Sequence, residues 1–154
     1  MTQAAIKANK KQKQRLFKKV LKVFDSLINK KIAILGLSFK ANTSDIREAP
    51  ALELIPILIK KGAKIQVYCP CGMPDATQYF SKYANKISYC KDEYQAVENC
   101  DVLIMLTEWE QFSKLDLFKI KSKMVQNYLF DFRNVFANNM QVRKLFNYYP
   151  VGLG

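Results

Sequence analysis

Lys31-Ile-Ala-Ile-Leu-Gly36-Leu-Ser-Phe-Lys40 is the stretch on which the fold turns. Its Ile-Ala-Ile-Leu run has the continuous apolar character of a strand buried on both faces, and Gly36 closes it. Three more motifs follow apolar runs in the same way. They are Tyr68-Cys69-Pro70, Thr107-Glu108-Trp109 and Asp131-Phe132-Arg133-Asn134. Strands are predicted over Lys31–Leu35, Lys64–Tyr68, Lys86–Tyr89, Val102–Leu106 and Tyr128–Phe130. Asn147–Tyr149 reads as a sixth strand or a tail. Helices are predicted from Pro50 to about Lys61, over Ala76–Asn85, Glu93–Asn99 and Leu115–Lys123. Pro50 suits a first helical position and Gly62 a helix end. Pro56 should kink the helix it falls in.

Strands alternating with helices give an α/β class: an open parallel sheet with right-handed crossovers, flanked by helices. In such a sheet the carboxyl ends of the strands line one edge, where ligands bind. Lys40 and Arg133, more than ninety residues apart, are thereby brought to one crevice. A lysine offers a point charge to a phosphate, and an arginine offers paired N–H donors. Arg133 could equally pair with Asp131 or another carboxylate. The Gly-x-Gly-x-x-Gly spacing of a dinucleotide loop is absent after Gly36.

The chain has 154 residues, 49% of them apolar, which suits one globular domain with a sizeable core. The net charge of +12 is uneven. Residues 1–31 hold ten Lys/Arg and one acid, whereas residues 32–154 hold fifteen and twelve. The excess belongs to this N-terminal segment, within which Lys10 to Ile28 reads as an amphipathic helix ending near Asn29. Its apolar face carries Leu16, Val20, Val23, Phe24 and Leu27, and Lys11, Arg15, Lys18 and Lys22 lie on another face. This face is either packed within the domain or docked on a partner. Read as built for a partner domain, it should make the chain alone dimerise or aggregate through Leu16, Val20, Phe24 and Leu27.

Cys69, Cys71, Cys90 and Cys100 lack the paired spacing of common zinc sites and read as reduced structural thiols; no metal is expected. The absence of histidine removes His-based acid–base chemistry. No apolar stretch reaches the roughly 18 residues of a membrane span. The polar N-terminus has no secretory h-region, so a cytoplasmic protein is expected.

Taken in order, the motifs resemble the C-terminal domain of the UDP-glucose/GDP-mannose dehydrogenase family. Residues 31–52 match that family's signature almost throughout, and Val67-Tyr-Cys-Pro70, Asp101-Val-Leu-Ile-Met-Leu-Thr-Glu-Trp109 and Asp131-Phe-Arg-Asn134 follow in register. Asn9 to Arg15 is similar to the helix leading into the domain. The resemblance implies that residues 1–29 end an interdomain, dimer-forming helix. It implies that residues 30–154 form a Rossmann-like nucleotide-sugar-binding domain. By resemblance, Lys40 and Arg133 contact a UDP-sugar, with UDP-glucose the favoured ligand. Asp45 and Arg47 match a Thr-x-Asp-Ile-Arg motif and read as loop-organising or subunit-contact residues, and Glu108 and Trp109 as further loop or interface residues.

The family oxidises a sugar C6 alcohol in two NAD-dependent steps through a cysteine adduct. Neither an NAD glycine loop nor a Gly-Phe-Gly-Gly-Ser-Cys motif occurs here. The expectation is a substrate-binding part, inactive alone, that binds no cofactor itself. An N-terminal NAD-binding part, if separately encoded, would be its partner, and a homodimer could form through the helix. The other reading, a basic-helix module for nucleic acid or an anionic surface, requires steep salt dependence. It conflicts with the near-neutral body. Ala49, Cys69, Phe132 and Leu153 replace the family's usual serine, aspartate, glycine and arginine. Serine at 49 would cap the next helix, and glycine at 132 would permit a positive φ.

Overall fold

The computed structural model describes residue 15 and residues 17–150. The expectations for residues 9–14, Leu16 and Leu153 lie outside the described residues. A helix, α1, runs over residues 17–23. Six strands follow: β1 (Lys31–Leu35), β2 (Lys64–Tyr68), β3 (Ile87–Tyr89), β4 (Val102–Met105), β5 (Tyr128–Asp131) and β6 (Asn147–Pro150). Between them lie α2 (Pro50–Lys60), α3 (Met73–Tyr79), α4 (Glu93–Ala96), α5 (Glu110–Ser113), α6 (Leu117–Lys123) and α7 (Val142–Leu145).

The strands form one sheet in the order β3-β2-β1-β4-β5-β6, all neighbours parallel. The order reverses between β1 and β4. The neighbours of that point are buried on both faces: β1 from Ile32 onward, all of β4, and β5 from Leu129 onward. Towards the rim, β2 and β6 show partial exposure. This gradient is the reason the central strands read as unbroken apolar runs. The register aligns Leu35 with Tyr68 and Met105, Met105 with Asp131, and Asp131 with Pro150. Four motif-bearing strand ends therefore share one edge.

Gly36 makes that edge possible. Its φ is 106°, and a Cβ there would lie 2.1 Å from Thr107 Oγ1 and 2.8 Å from Thr107 N. A side chain would push β1 and β4 apart at their carboxyl ends.

Several boundaries differ from the sequence reading. α1 stops at residue 23, not near Asn29, because Leu27 turns into the core at 1% exposure. Ser26 Oγ accepts from Ile28 N, and Asn29 takes a left-handed φ of 65°. α3 starts at Met73, earlier than Ala76, since Pro74 occupies a first-turn position, and a 3-10 turn over Ser81–Tyr83 follows it. α2 runs from Pro50 to Lys60 as read, with Pro56 inside it. The one-turn helices α5 and α7 were not foreseen, and Asn147–Tyr149 is a true strand.

The apolar face of α1 packs within its own domain. Val20 is fully buried, Phe17 and Leu27 nearly so, and Phe24 meets Tyr128 edge-on at 4.9 Å. Lys19 Nζ donates to Pro150 O at 2.7 Å, tying α1 to the end of β6. The exposed face that would drive self-association is thus not present at these residues. Val20→Ala should destabilise the chain by about 2 kcal/mol in urea unfolding. An unchanged midpoint would show that α1 does not dock as described.

Cys100 is fully buried, and burial pushes its thiol up to about 12 from 9.0. A group whose pKa is higher folded than unfolded contributes stability below the unfolded value. That contribution disappears as pH rises through the folded value. Stability should therefore decline between about pH 9 and 12, and Cys100→Ala should flatten this limb in denaturant midpoints measured against pH.

Candidate functional site at the carboxyl edge of the sheet

The loops after β1, β4 and β5 converge on Arg133. Its guanidinium donates through Nε to Leu106 O at 3.2 Å and through Nη2 to Phe39 O at 3.3 Å. Glu108 Oε2 lies 3.4 Å from Nε. Arg133 thus spans the ends of β1 and β4, over the point where the strand order reverses. The contact with Phe39 brings the loop that carries Lys40 to Arg133. Lys40 is exposed and, among the described residues, makes no ion pair.

The turn bearing Arg133 is built on Asp131, which is wholly buried. Oδ1 accepts from Arg133 N at 3.3 Å and Val135 N at 2.9 Å. Oδ2 accepts from Phe136 N at 2.8 Å and the Tyr148 hydroxyl at 2.6 Å. Four donors on two oxygens is the acceptor-only pattern of a carboxylate. Of the two alternatives, Asp131 holds the Arg133 backbone, while the side chain goes to Glu108. Sequence reasoning missed both the Asp131 hub and the Glu108 partner. The one available signal was that Glu108 and Arg133 follow neighbouring strands. Burial, followed by the bond to Asp131, pushes the Tyr148 hydroxyl well above the ordinary tyrosine value.

Phe132 does not have a positive φ; Asn134 carries the left-handed conformation, at 55°. The backbone therefore does not require glycine at 132. The ring is 5% exposed and lies 6.2 Å from Phe130. Cys69 is buried, with Sγ 3.8 Å from Ser38 Oγ beneath the first loop. Ala49 has the extended conformation of an N-cap but supplies no side-chain bond.

Asp45 and Arg47 form a closed unit at the same edge. Arg47 donates through Nε to Oδ1 and through Nη2 to Oδ2, each at 3.0 Å, and its backbone N reaches Oδ1 at 2.9 Å. Asp45 O accepts from Phe39 N at 2.7 Å, so this unit braces the first loop. The Arg47 hydrogen bonds hold the Asp45 carboxyl below the usual range. Both side chains are exposed, so the pair is worth little in salt. Trp109 is 7% exposed, and its indole N–H and the Thr107 hydroxyl have no hydrogen-bond partner among the described residues. Glu110 pairs with Lys114, not with the site.

The first loop does not fit the dinucleotide pattern. Ser38 fills the second glycine position, buried, with Oγ donating to Lys40 O at 2.9 Å, and no helix opens before Pro50. Among the described residues no group of three or more His, Cys, Asp or Glu could hold a metal, and no helix is long and apolar enough to cross a membrane.

A parallel sheet in the order 3-2-1-4-5-6, with the loops after β1 and β4 drawn together over its reversal point, defines a Rossmann-like domain. The chain belongs to the UDP-glucose/GDP-mannose dehydrogenase family, matching the model of its UDP binding domain over residues 33–138. It is 34% identical to the UDP-glucose 6-dehydrogenase TuaD of Bacillus subtilis, over 99% of this chain and 32% of that protein. Against UDP-glucose 6-dehydrogenase of Rhizobium meliloti, identity is 32%, over 99% of this chain and 34% of that protein. The chain thus spans about a third of the length of these curated relatives. The solved UDP-glucose dehydrogenase of Pyrobaculum islandicum superposes with a TM-score of 0.73 at 22% identity, over 95% of this chain and 31% of that one. This supports the fold.

Asp131→Ala should cost more than about 3 kcal/mol, because three backbone N–H groups and a hydroxyl lose their acceptor together. Chemical denaturation measures this, and a loss under about 1 kcal/mol would show that the turn has other support.

Proposed function

We propose that this chain binds the UDP moiety of a sugar nucleotide in the crevice between the loops after β1, β4 and β5. Arg133 and Lys40 are its cationic contacts. The observation that carries the reading is the guanidinium held across two strand ends by Leu106 O and Phe39 O. These bonds engage Nε and Nη2 and leave the Nη1 edge for a phosphate or a base carbonyl, since guanidinium has five donors. Lys40 adds a mobile point charge on the adjoining loop. UDP-glucose is the favoured ligand, because the curated relatives above carry that name.

Oxidation of the bound sugar would need a hydride acceptor and a nucleophilic cysteine. The loop at Gly36 does not fit a dinucleotide, and no Gly-Phe-Gly-Gly-Ser-Cys motif occurs in the 154 residues. We therefore assign these residues to substrate binding alone. The NAD-dependent chemistry belongs to an N-terminal part, in the same or a second polypeptide. Asp45 and Arg47 organise the first loop on this reading, and Glu108 and Trp109 border the crevice. The basic-helix alternative would use Arg15, Lys18 and Lys22, which are exposed, and the near-neutral charge of residues 32–154 weighs against it.

Calorimetric titration with UDP and UDP-glucose tests the proposal. Saturable one-to-one binding is expected, weakened about 10- to 100-fold by Arg133→Ala and less by Lys40→Ala, since a bond to a charged group contributes about 1.5–3 kcal/mol. No heat at millimolar ligand, or equal affinity in wild type and Arg133→Ala, would overturn it.

A further inference from the structure

Behind Arg133 the site continues to the outermost strand. Tyr148 is half-buried on β6, and its hydroxyl donates to Asp131 Oδ2. Phe136 N shares that oxygen, while Arg133 N and Val135 N occupy the other. The segment between β5 and α7 contains neither helix nor strand; besides the bonds to Asp131 it is held by Phe132 N to Met105 O, by the turn bonds of Ala137 N to Asn134 O and Asn139 N to Phe136 O, and by the buried Phe136 ring. The guanidinium carbon of Arg143, on α7, lies 5.1 Å from the centre of the Tyr148 ring.

We infer that Tyr148 is a positioning residue for nucleotide binding: its hydroxyl, acting through Asp131, fixes the turn that sets the Arg133 guanidinium across the strand ends. The inference rests on the UDP site proposed above. A two-pronged contact to phosphate tolerates only about 0.5 Å of misplacement. The carboxylate that anchors the turn is itself oriented by the hydroxyl. The raised pKa keeps that hydroxyl a donor at neutral and mildly alkaline pH. Register makes the link possible, since Tyr148 lies opposite Leu129 and its side chain reaches forward to Asp131 at the strand end. No property of the isolated motif Asp131-Phe-Arg-Asn134 would reveal a partner on β6.

The test is a double-mutant cycle on the full chain, with UDP as the titrant. Tyr148→Phe keeps the ring and removes only the donor. It should unfold cooperatively in urea and bind UDP about three- to tenfold more weakly than wild type. In an Arg133→Ala background the same change should alter affinity by less than about twofold, because coupled residues are non-additive. Equal weakening in both backgrounds, or none in either, overturns the inference. A ligand-free measurement runs beside it. Hydrogen exchange at the amides of Val135 and Phe136 should accelerate in Tyr148→Phe while β1 amides stay protected, and unchanged exchange also overturns it. If wild type fails to bind UDP, the proposed function falls and carries the nucleotide role of Tyr148 with it. Exchange then decides separately whether Tyr148 sets the turn.

Discussion

A carboxylate removed from water costs several kcal/mol unless its lone pairs are filled, and Asp131 fills all of them. Three of its donors are backbone N–H groups of one short turn, and the fourth comes from the neighbouring strand. This single group closes β5, orders residues 133–136 and aims Arg133 back over β4 and β1. The rest of the site depends on it. Without a fixed turn the guanidinium would be an exposed cation paired at the surface for little gain.

Gly36 is the complementary constraint on the other side of the reversal point. Its missing side chain lets Thr107 approach, so the loops after β1 and β4 end within reach of one guanidinium. That closeness also explains why the first loop differs from a dinucleotide loop. Its buried Ser38 and the Asp45–Arg47 brace turn the loop across the strand ends, towards Arg133, and the next helix begins only at Pro50. On the proposed reading the loop after β1 would offer Lys40 at the sheet edge in place of the helix N-terminus that a dinucleotide loop provides.

Much of this was legible in the sequence, for identifiable reasons. The Ile-Ala-Ile-Leu and Val-Leu-Ile-Met runs are central strands buried on both faces, and such runs have few other readings. Pro50 and Gly62 bracket α2 through backbone chemistry that does not depend on tertiary context. Lys40 and Arg133 could be assigned to one edge because strand ends in a parallel sheet must share it. What escaped was non-local or too short. α5 and α7 are single turns with no period to detect. α1 was read past its end because Phe24 and Leu27 continue the helical spacing after the backbone has turned. The pairing of Tyr148 with Asp131 depends on the register of β6 against β5, which no local pattern encodes. The family's glycine at 132 points to a positive φ at that position, whereas the left-handed residue of this turn is Asn134.

The central claim is that the ends of β1, β4 and β5 form one ligand crevice organised by Asp131. Backbone amide shifts followed by heteronuclear NMR during UDP addition test it most directly. The account predicts saturable shifts at residues 36–40, 107–109 and 131–136, with α1 and α6 unmoved. Shifts confined to the lysines of those helices, or none at saturating nucleotide, would contradict it.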